Sequence, residues 1–240
     1  MVESSRYEVH HFPFPIHTVP SELAESEWAQ MTTGLDSNGV GNLLAWRWPI
    51  PTDPALALLR EKLLTYRPVG VVTYDLQDYV QLDHPEVEGE PEGAGDSYYV
   101  AFPIPVQEVE TRMKASPRLR GEEGFLSRAL IEFYSLFPSF REDFQCAGHF
   151  ISPEKWITLS DDMGDSVDLS ALGSWQGALF IYHGCNGDMI VLARSGEVAW
   201  YCPSENEIHR IAEDFSGFLR YLTGYLDNRW PMDSFGPREE

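Results

Sequence analysis

The feature that most constrains the fold is a set of three short apolar segments near the C-terminus, separated by tight turns. The segments ALFIYH, MIVLAR and VAWYC lie within residues 177–202, and turn residues occupy 184–188 and 195–197. Connections this short join antiparallel neighbours, because a parallel crossover needs about a dozen residues or more. The sequence therefore predicts a three-stranded β-meander.

Two helices are predicted upstream of the meander. In the segment 52–66, Asp53 is placed to cap a helix and Pro54 suits the first helical position. The segment 124–137 carries apolar residues at three- and four-residue spacings and is stopped by Pro138.

A third helix is predicted to start directly after the meander. Ser204 and Glu207 have the spacing of a capping box. One apolar stripe follows, made of Ile208, Ile211, Phe215, Phe218, Leu219, Leu222 and Leu226. Such a stripe must be buried, and the preceding meander is the nearest surface for it.

The remaining elements are predicted from shorter patterns. Residues 69–76 are expected to form a strand, and residues 97–106 a second strand that its prolines place at a sheet edge. Residues 42–48 and 156–159 are further strand candidates, and residues 20–31 favour a short helix.

The charge balance limits the partners that the chain can bind. Its 38 acidic and 17 basic residues give a formal net charge of −21, which repels the phosphates of nucleic acids.

No apolar run approaches the roughly 18 residues of a membrane span, and the first 17 residues lack the apolar core of a secretory signal. The chain has only three cysteines, and an odd number cannot pair completely, so they do not indicate a disulfide framework. We therefore expect a cytoplasmic protein.

Two acidic stretches are candidate docking surfaces for a basic protein. Ten acidic residues and no lysine or arginine occur between residues 68 and 110, and the loop 83–96 lies within that stretch. A purely solubilising role for this loop is the alternative. A second cluster precedes the meander. The partner-binding candidates are Asp161, Asp162, Asp165, Asp168, Glu86, Glu88, Glu90 and Glu92, with Asp83 as the first residue of the loop. If charge does not recognise the partner, Trp156 and Trp175 are the next candidates.

The sequence favours a binding protein over an enzyme. His183 and Cys185 flank a turn glycine, and Cys146 precedes His149 by three residues, but these spacings are not the usual ones of a zinc site. The aspartates at 161–168 also depart from a calcium loop. Nucleotide-binding, nucleophile-elbow and metalloprotease motifs do not occur. We therefore predict no metal, no cofactor and no catalytic residue.

The C-terminal part of the chain resembles the SUKH superfamily, which includes fungal cell-wall synthesis regulators and many bacterial immunity proteins. The matching pattern is strand, Gly-Asp turn, strand, Gly turn, strand and amphipathic helix, and the segment 128–137 is similar to an earlier family helix. Its matching residues are Gly187, Asp188, Gly196, Val198, Phe215, Phe218 and Leu219. Gly187 and Gly196 suit turns that need positive φ, and Asp188 suits a bond to nearby backbone, so we interpret all three as structural turn residues.

The resemblance implies an α+β fold, with a mixed or antiparallel sheet, a C-terminal meander and helices packed on one side. It is confined to about residues 121–230, so we expect one elaborated domain, with 1–110 an extension or a separate subdomain. It also implies an immunity protein that neutralises a toxin by binding it. A regulatory adaptor and an enzyme with an unrecognised site are the alternatives.

Overall fold

The computed structural model describes residues 9–74, 77–84, 97–116, 119, 126–142, 148–162, 169–184 and 187–228. Within these residues, the α-helices are α1 Glu27–Thr32, α2 Ser37–Arg47, α3 Pro54–Leu63, α4 Val106–Ala115, α5 Arg128–Leu136, α6 Leu159–Asp162 and α7 Phe215–Asn228. The strands are β1 His10–Pro13, β2 Arg67–Tyr74, β3 Gln77–Asp83, β4 Ser97–Ala101, β5 Phe140–Arg141, β6 His149–Phe150, β7 Leu179–His183, β8 Met189–Leu192, β9 Val198–Cys202 and β10 Glu207–Ala212. None of the helices in the described ranges combines the length and the apolar character needed to cross a membrane.

The strands form one ten-stranded sheet in which spatial order follows chain order from β1 to β10. Each strand pairs antiparallel with its neighbours. The strands of the first 110 residues therefore belong to the same sheet as the C-terminal meander. The predicted α+β class, the meander and the packing of helices on one side are confirmed.

One face of the sheet and the helices enclose the main core. Phe133 of α5 contacts Phe150 of β6, with ring centroids 4.8 Å apart, and Phe215 of α7, at 5.6 Å. Phe218 of α7 also lies against Phe150. These aromatic side chains are buried. Their contacts pack α5 and α7 on the middle of the sheet, and the burial of apolar surface stabilises this packing.

The second face of the sheet is covered differently at its two ends. Over β7, β8 and β9, Leu159 and Leu172 from the preceding segment pack on Phe180, Val191 and Tyr201 in a separate apolar cluster. Over β2, β3 and β4 there is a small cluster of Val72, Tyr79 and Ala101, bordered by Tyr74 and Tyr99. Polar side chains lie between the two clusters.

Several local predictions match the structure closely. Asp53 caps α3, and its carboxylate accepts hydrogen bonds from the backbone N–H groups of Ala55 and Leu56. The helix predicted at 124–137 is α5, which Ser127 caps. The strand predicted at 69–76 is β2, and the three meander strands are β7, β8 and β9.

The strand predicted at residues 42–48 is wrong, because these residues lie in α2 and its C-cap. Asp36 is the N-cap of the helix, and its carboxylate accepts a hydrogen bond from Gly39 N–H at 2.8 Å. Val40, Leu44 and Trp48 are buried at a helical spacing of four residues. The apolar run is too short for its period to distinguish the two structures, and the upstream cap decides for the helix.

Two further strand predictions need correction. Residues 97–106 do form a strand, but β4 ends at Ala101 and lies between β3 and β5, so it is not an edge strand. The prolines lie beyond its end, where they remove no ladder hydrogen bond. Residues 156–159 are not a strand. Thr158 makes an isolated bridge with Leu179, and Leu159 begins α6.

The predicted start of the final helix is also wrong. Asn206, with φ of 54°, lies between β9 and β10, so Glu207 belongs to a strand and not to a capping box. Helix α7 starts at Phe215, and Asp214 accepts a hydrogen bond from Gly217 N–H at 2.6 Å. The helix packs on α3, α5 and β10. Isoleucines at 208 and 211 fit a helical stripe, but pairing with β9 places them in the sheet.

Candidate functional site

The acidic residues predicted to bind a partner are described only in part. Asp161 lies exposed in α6, and the hydroxyl of Thr158 donates to its carboxylate. Asp162 is the last residue of α6, and its side chain is outside the description. Asp165, Asp168, Glu86, Glu88, Glu90 and Glu92 lie outside the described residues. The docking surfaces predicted from charge therefore stay predictions.

Asp83 was predicted as the first residue of the loop 83–96, but it pairs with Ser97 and lies in the sheet. It ends β3, where its carboxylate accepts hydrogen bonds from Gln81 Nε2 at 2.8 Å and from the Ser97 hydroxyl at 2.7 Å. These bonds tie β3 to β4 at the base of the acidic stretch.

The three turn residues of the meander lie in tight hairpins. Gly187 and Gly196 have φ of 89° and 95°, values that L side chains rarely adopt. Asp188 is buried, and its backbone carbonyl accepts a hydrogen bond from Gly184 N–H at 2.7 Å. The positive φ angles of the two glycines and the hydrogen bond between Gly184 and Asp188 close the two hairpin turns.

The two most exposed large apolar side chains among the described residues lie close together in the chain, at the end of α2 and just beyond it. Trp46 is 72% exposed and Ile50 is 80% exposed. Between them, Arg47 and Pro49 line a groove of about 420 Å³ on the helix-covered side of the protein. The rest of its apolar lining is Phe102, Pro103, Ile104, Pro105 and Val106. We call this feature the apolar groove.

The floor of the apolar groove is fixed by hydrogen bonds to α5. The N–H of Ile104 donates to the carbonyl of Ser135 at 2.9 Å, and the hydroxyl of Ser135 donates to the carbonyl of Ile104 at 2.6 Å. Phe102 is held edge-on by Trp28, with ring centroids 4.9 Å apart. Two prolines further restrict this segment. The groove is therefore formed before any partner binds.

Arg47 positions Trp46 at the rim of the apolar groove. Its guanidinium lies 4.9 Å from the Trp46 ring centroid and 5.6 Å from that of Phe102. Its Nη2 contacts the sulfur of Met31 at 3.2 Å, whereas its buried Nε has no hydrogen-bond partner among the described residues. A cation held over the indole face limits the motion of the tryptophan. The exposed indole is thus presented in a restrained orientation.

A buried carboxylate supports the groove from behind. Glu132 of α5 accepts hydrogen bonds from Arg128 Nε at 2.8 Å and from the backbone N–H groups of Thr52 and Asp53 at 2.9 and 3.2 Å. Burial raises the pKa of Glu132, but the hydrogen bonds from Thr52, Arg128 and the backbone outweigh it and hold the pKa below its ordinary value. This ionised group links α5 to the start of α3, and Arg128 also lines the groove.

A second concave site lies on the other face of the sheet. It is a polar cleft of about 120 Å³ over β2, β3, β5 and β6. Its lining includes the hydroxyls of Tyr79 and Ser139 and the cationic side chains of Arg141 and Lys155. The guanidinium of Arg141 stacks over Tyr74, 4.8 Å from the ring centroid. We call this feature the cationic cleft.

The structure brings together two histidines that the sequence linked only weakly. His149 of β6 and His183 of β7 are directly opposed in register, with ring centroids 6.0 Å apart. Cys146 and Cys185 lie outside the described residues. Over the part of the chain that is described, no three metal-ligating side chains form a group that could hold an ion. The predicted absence of a metal stays a prediction.

The sequence did not single out either concave site. The sequence predicts a strand around Trp46 and favours Trp156 and Trp175 as the aromatic residues that contact a partner. Trp156 is buried, and its indole N–H donates to the carbonyl of Ile151 at 3.0 Å. Trp175 is half-buried against the cluster on the second face. Trp156 therefore supports the core, whereas the Trp46 side chain is exposed to solvent.

The fold is that of an α+β protein with a continuous antiparallel meander. Comparison with known proteins adds no relative to it, because no family model, no curated protein and no solved structure matches the chain.

Proposed function

We propose that this protein is a non-catalytic binding protein whose partner is another protein. The observation that carries the proposal is the exposure of Trp46 and Ile50 beside the preformed apolar groove. Tryptophan is enriched among the residues that dominate binding energy at protein interfaces. Large apolar side chains clustered at one exposed place are typical of an interaction site.

The rigidity of the site supports this proposal. Ile104 is bound to α5 through two hydrogen bonds, and Arg47 restrains the Trp46 indole. A partner that docks here does not have to order a mobile segment first. Preorganisation of this kind raises affinity because less conformational entropy is lost on binding.

The partner that we propose is a basic toxin, which makes the protein an immunity protein. The net charge of −21 favours a cationic partner and accelerates its approach. The resemblance of the meander and last helix to the SUKH superfamily supports the same function. In this proposal, the charge steers the encounter and the apolar groove supplies the short-range contacts.

The experiment is co-purification with the protein encoded beside this chain, followed by measurement of Kd for wild-type and variant proteins. Trp46→Ala and Ile50→Ala are expected to weaken binding by about tenfold or more each, a typical loss at an interface anchor. Tyr221→Ala is the matched control, because Tyr221 is 40% exposed on α7 and does not line the groove. Equal losses in all three variants, or none, would contradict the assignment of the groove.

The salt dependence of association tests the charge component separately. We expect the association rate to fall steeply as ionic strength rises, because the Debye length shrinks from about 10 Å at 0.1 M to about 3 Å at 1 M. Neutralising Asp161 and Asp162 to Asn should slow association without unfolding the protein. A rate independent of salt would contradict a basic partner.

The alternative function is a regulatory adaptor, which binds its partner without inhibiting it. Both functions predict co-purification, so the activity of the partner distinguishes them. An immunity protein abolishes the toxicity of its partner when the two are co-expressed, and the Trp46→Ala variant should protect less well. A partner that is harmless when expressed alone would favour the adaptor.

A further inference from the structure

The guanidinium at the rim of the apolar groove has no carboxylate beside it among the described residues. Arg47 is half-buried, and its guanidinium contacts the sulfur of Met31 and the rings of Trp46 and Phe102. None of the ion pairs between described residues includes Arg47. Its positive charge therefore faces aromatic rings and a thioether, and a thioether is only a weak acceptor.

The second arginine of the groove differs, because its charge is matched within the protein. Arg128 Nε lies 2.8 Å from the carboxylate of Glu132, which is almost fully buried. An anion that approached Arg128 would have to compete with this carboxylate. Of the two arginines that line the groove, Arg47 is therefore the one that can take a new anionic partner.

The groove also contains one acidic side chain. Glu110 of α4 lines the groove and is half-buried, and it belongs to none of the ion pairs between described residues. An anionic ligand would be attracted by Arg47 and repelled by Glu110. The two residues therefore predict opposite effects on the binding of such a ligand.

A partner that covers the groove removes water from Arg47. The burial of an ionised group is costly unless an acceptor replaces the water that the group loses. A wholly apolar segment would supply no acceptor, whereas a carboxylate forms a charge-assisted hydrogen bond with a guanidinium. The groove therefore favours an apolar side chain next to a carboxylate over an apolar side chain alone.

We propose that the apolar groove binds a segment of the partner protein in which a large apolar side chain lies next to a carboxylate. The apolar side chain packs on Phe102 and Ile104 beside Trp46, and the carboxylate binds the guanidinium of Arg47. This inference rests on the proposed function, because it specifies the segment that the partner presents. A basic partner is compatible with it, since a protein of net positive charge also carries carboxylates. The ion pair with Arg47 selects the segment that docks.

The experiment is a chemical-shift titration of the full chain with N-acetyl-phenylalanine and with its amide, at neutral pH and constant ionic strength. The two probes share the apolar side chain, and only the first carries a carboxylate. We expect saturable shifts of the Trp46 indole N–H resonance with the acid, which should bind about tenfold more tightly than the amide, the gain typical of one charged hydrogen bond. An amide that binds as tightly as the acid, or no saturable binding of the acid at Trp46, would overturn the proposal.

Variants distinguish the charge of Arg47 from its contact with Trp46. Arg47→Gln should weaken the binding of the acid about tenfold and change the binding of the amide by less than about twofold. Arg47→Lys keeps the positive charge and should recover part of the preference for the acid. Equal weakening of both probes by Arg47→Gln would show that Arg47 only positions Trp46, and this result would overturn the proposal.

The acidic residue of the groove provides a second, independent variant. Glu110→Gln should strengthen the binding of the acid and leave that of the amide nearly unchanged, because it removes a negative charge from the groove. It keeps the test valid if Arg47→Gln fails to fold. Weaker binding of the acid by Glu110→Gln would contradict a carboxylate at this site.

The probes contain no part of the partner, so their result is separate from the test of the proposed function. Co-purification and the effect of Trp46→Ala on the Kd of the complex test that function. If both succeed while the acid and the amide bind equally, the ligand class is wrong and the protein-binding function stands. If no partner co-purifies, the proposed function fails whichever probe binds more tightly.

Discussion

The carboxylate of Glu132 in α5 accepts hydrogen bonds from the backbone N–H and the hydroxyl of Thr52, just before α3 begins. The next residue, Asp53, caps α3 and also accepts a hydrogen bond from the Ser216 hydroxyl of α7. The N-terminus of α3 is thus the point where polar groups connect three helices of the core. Beyond this point, the three helices contact one another through apolar side chains.

The first prediction concerns Glu132. Replacing it with Gln removes an ionised acceptor that is almost fully buried, and we expect a loss of about 2 kcal/mol of unfolding free energy at neutral pH. The control is Glu108→Gln, because the Glu108–Arg112 pair is solvent-exposed and its loss should cost no more than about 0.5 kcal/mol. Urea melts of both variants provide the measurement.

The lowered pKa of Glu132 also gives the destabilisation a pH dependence. The folded state holds this pKa below that of the unfolded chain, so the stabilisation is complete above the unfolded value. It is lost as the pH falls through the folded value. The difference between wild type and Glu132→Gln should therefore shrink in acid. A difference that grows as the pH falls would contradict the pKa direction.

The second prediction tests the start of α7. Asp214→Ala should cost about 1 kcal/mol, the usual effect of removing an N-cap acceptor. Ser204→Ala is the matched control and should change stability by less than about 0.5 kcal/mol, because Ser204 is an exposed turn residue that caps no helix. Denaturant midpoints compare the two. A larger loss of stability in Ser204→Ala than in Asp214→Ala would favour the capping box that the sequence predicted.

The third prediction concerns the aromatic contact between α5 and α7. Phe215 is 2% exposed and packs on Phe133, so Phe215→Ala should cost about 3–5 kcal/mol. Tyr221→Ala, on the exposed side of the same helix, should cost less than about 1 kcal/mol. Similar losses from both variants would show that α7 is not oriented as described.

The fourth prediction concerns the hairpin between β8 and β9. Gly196 has φ of 95°, and no atom lies within 4 Å of the position that a Cβ would occupy. Gly196→Ala should therefore destabilise by about 1–2 kcal/mol through backbone strain alone. Gly41→Ala also meets open space, but Gly41 lies within α2, so this variant should be neutral or stabilising by up to about 1 kcal/mol. Thermal melts of the two variants provide the measurement, and equal effects would contradict strain at Gly196.

The fifth prediction is that the purified protein contains no stoichiometric metal. The opposed His149 and His183 supply two ligands, whereas structural zinc takes four. Elemental analysis provides the measurement. About one zinc ion per chain would contradict the prediction, and its loss in His149→Ala would assign it to the histidine pair.

Local sequence signals predicted the elements whose ends are set by neighbouring residues. Asp53 and Pro54 mark the start of α3 because a cap acts over three or four residues. The same logic failed at Ser204, where a spacing that resembles a cap lies in a turn between two strands. Pairing with β9 overrides the pattern, and that pairing depends on residues outside the local window.

Neither concave site could be located from the sequence. The cationic cleft requires Arg141, His149 and Lys155 to meet Tyr74 and Tyr79, which come from the other half of the chain. The apolar groove requires the end of α2 to lie beside residues 102–106 and α5. Predicting β4 as an edge strand removed the basis for either juxtaposition, because the sheet continues on both sides of β4.

The sequence by itself determined the C-terminal meander, the cap of α3, the helix α5 and the acidic charge of the protein. These properties depend on short-range sterics, on hydrogen bonds within a few residues and on composition. Only the tertiary structure decided that residues 207–212 form a strand, that Trp46 is exposed and that Arg141 lies beside His149 and His183 on one face of the sheet. Each of these depends on strand register or burial, which arise when distant segments exclude water together.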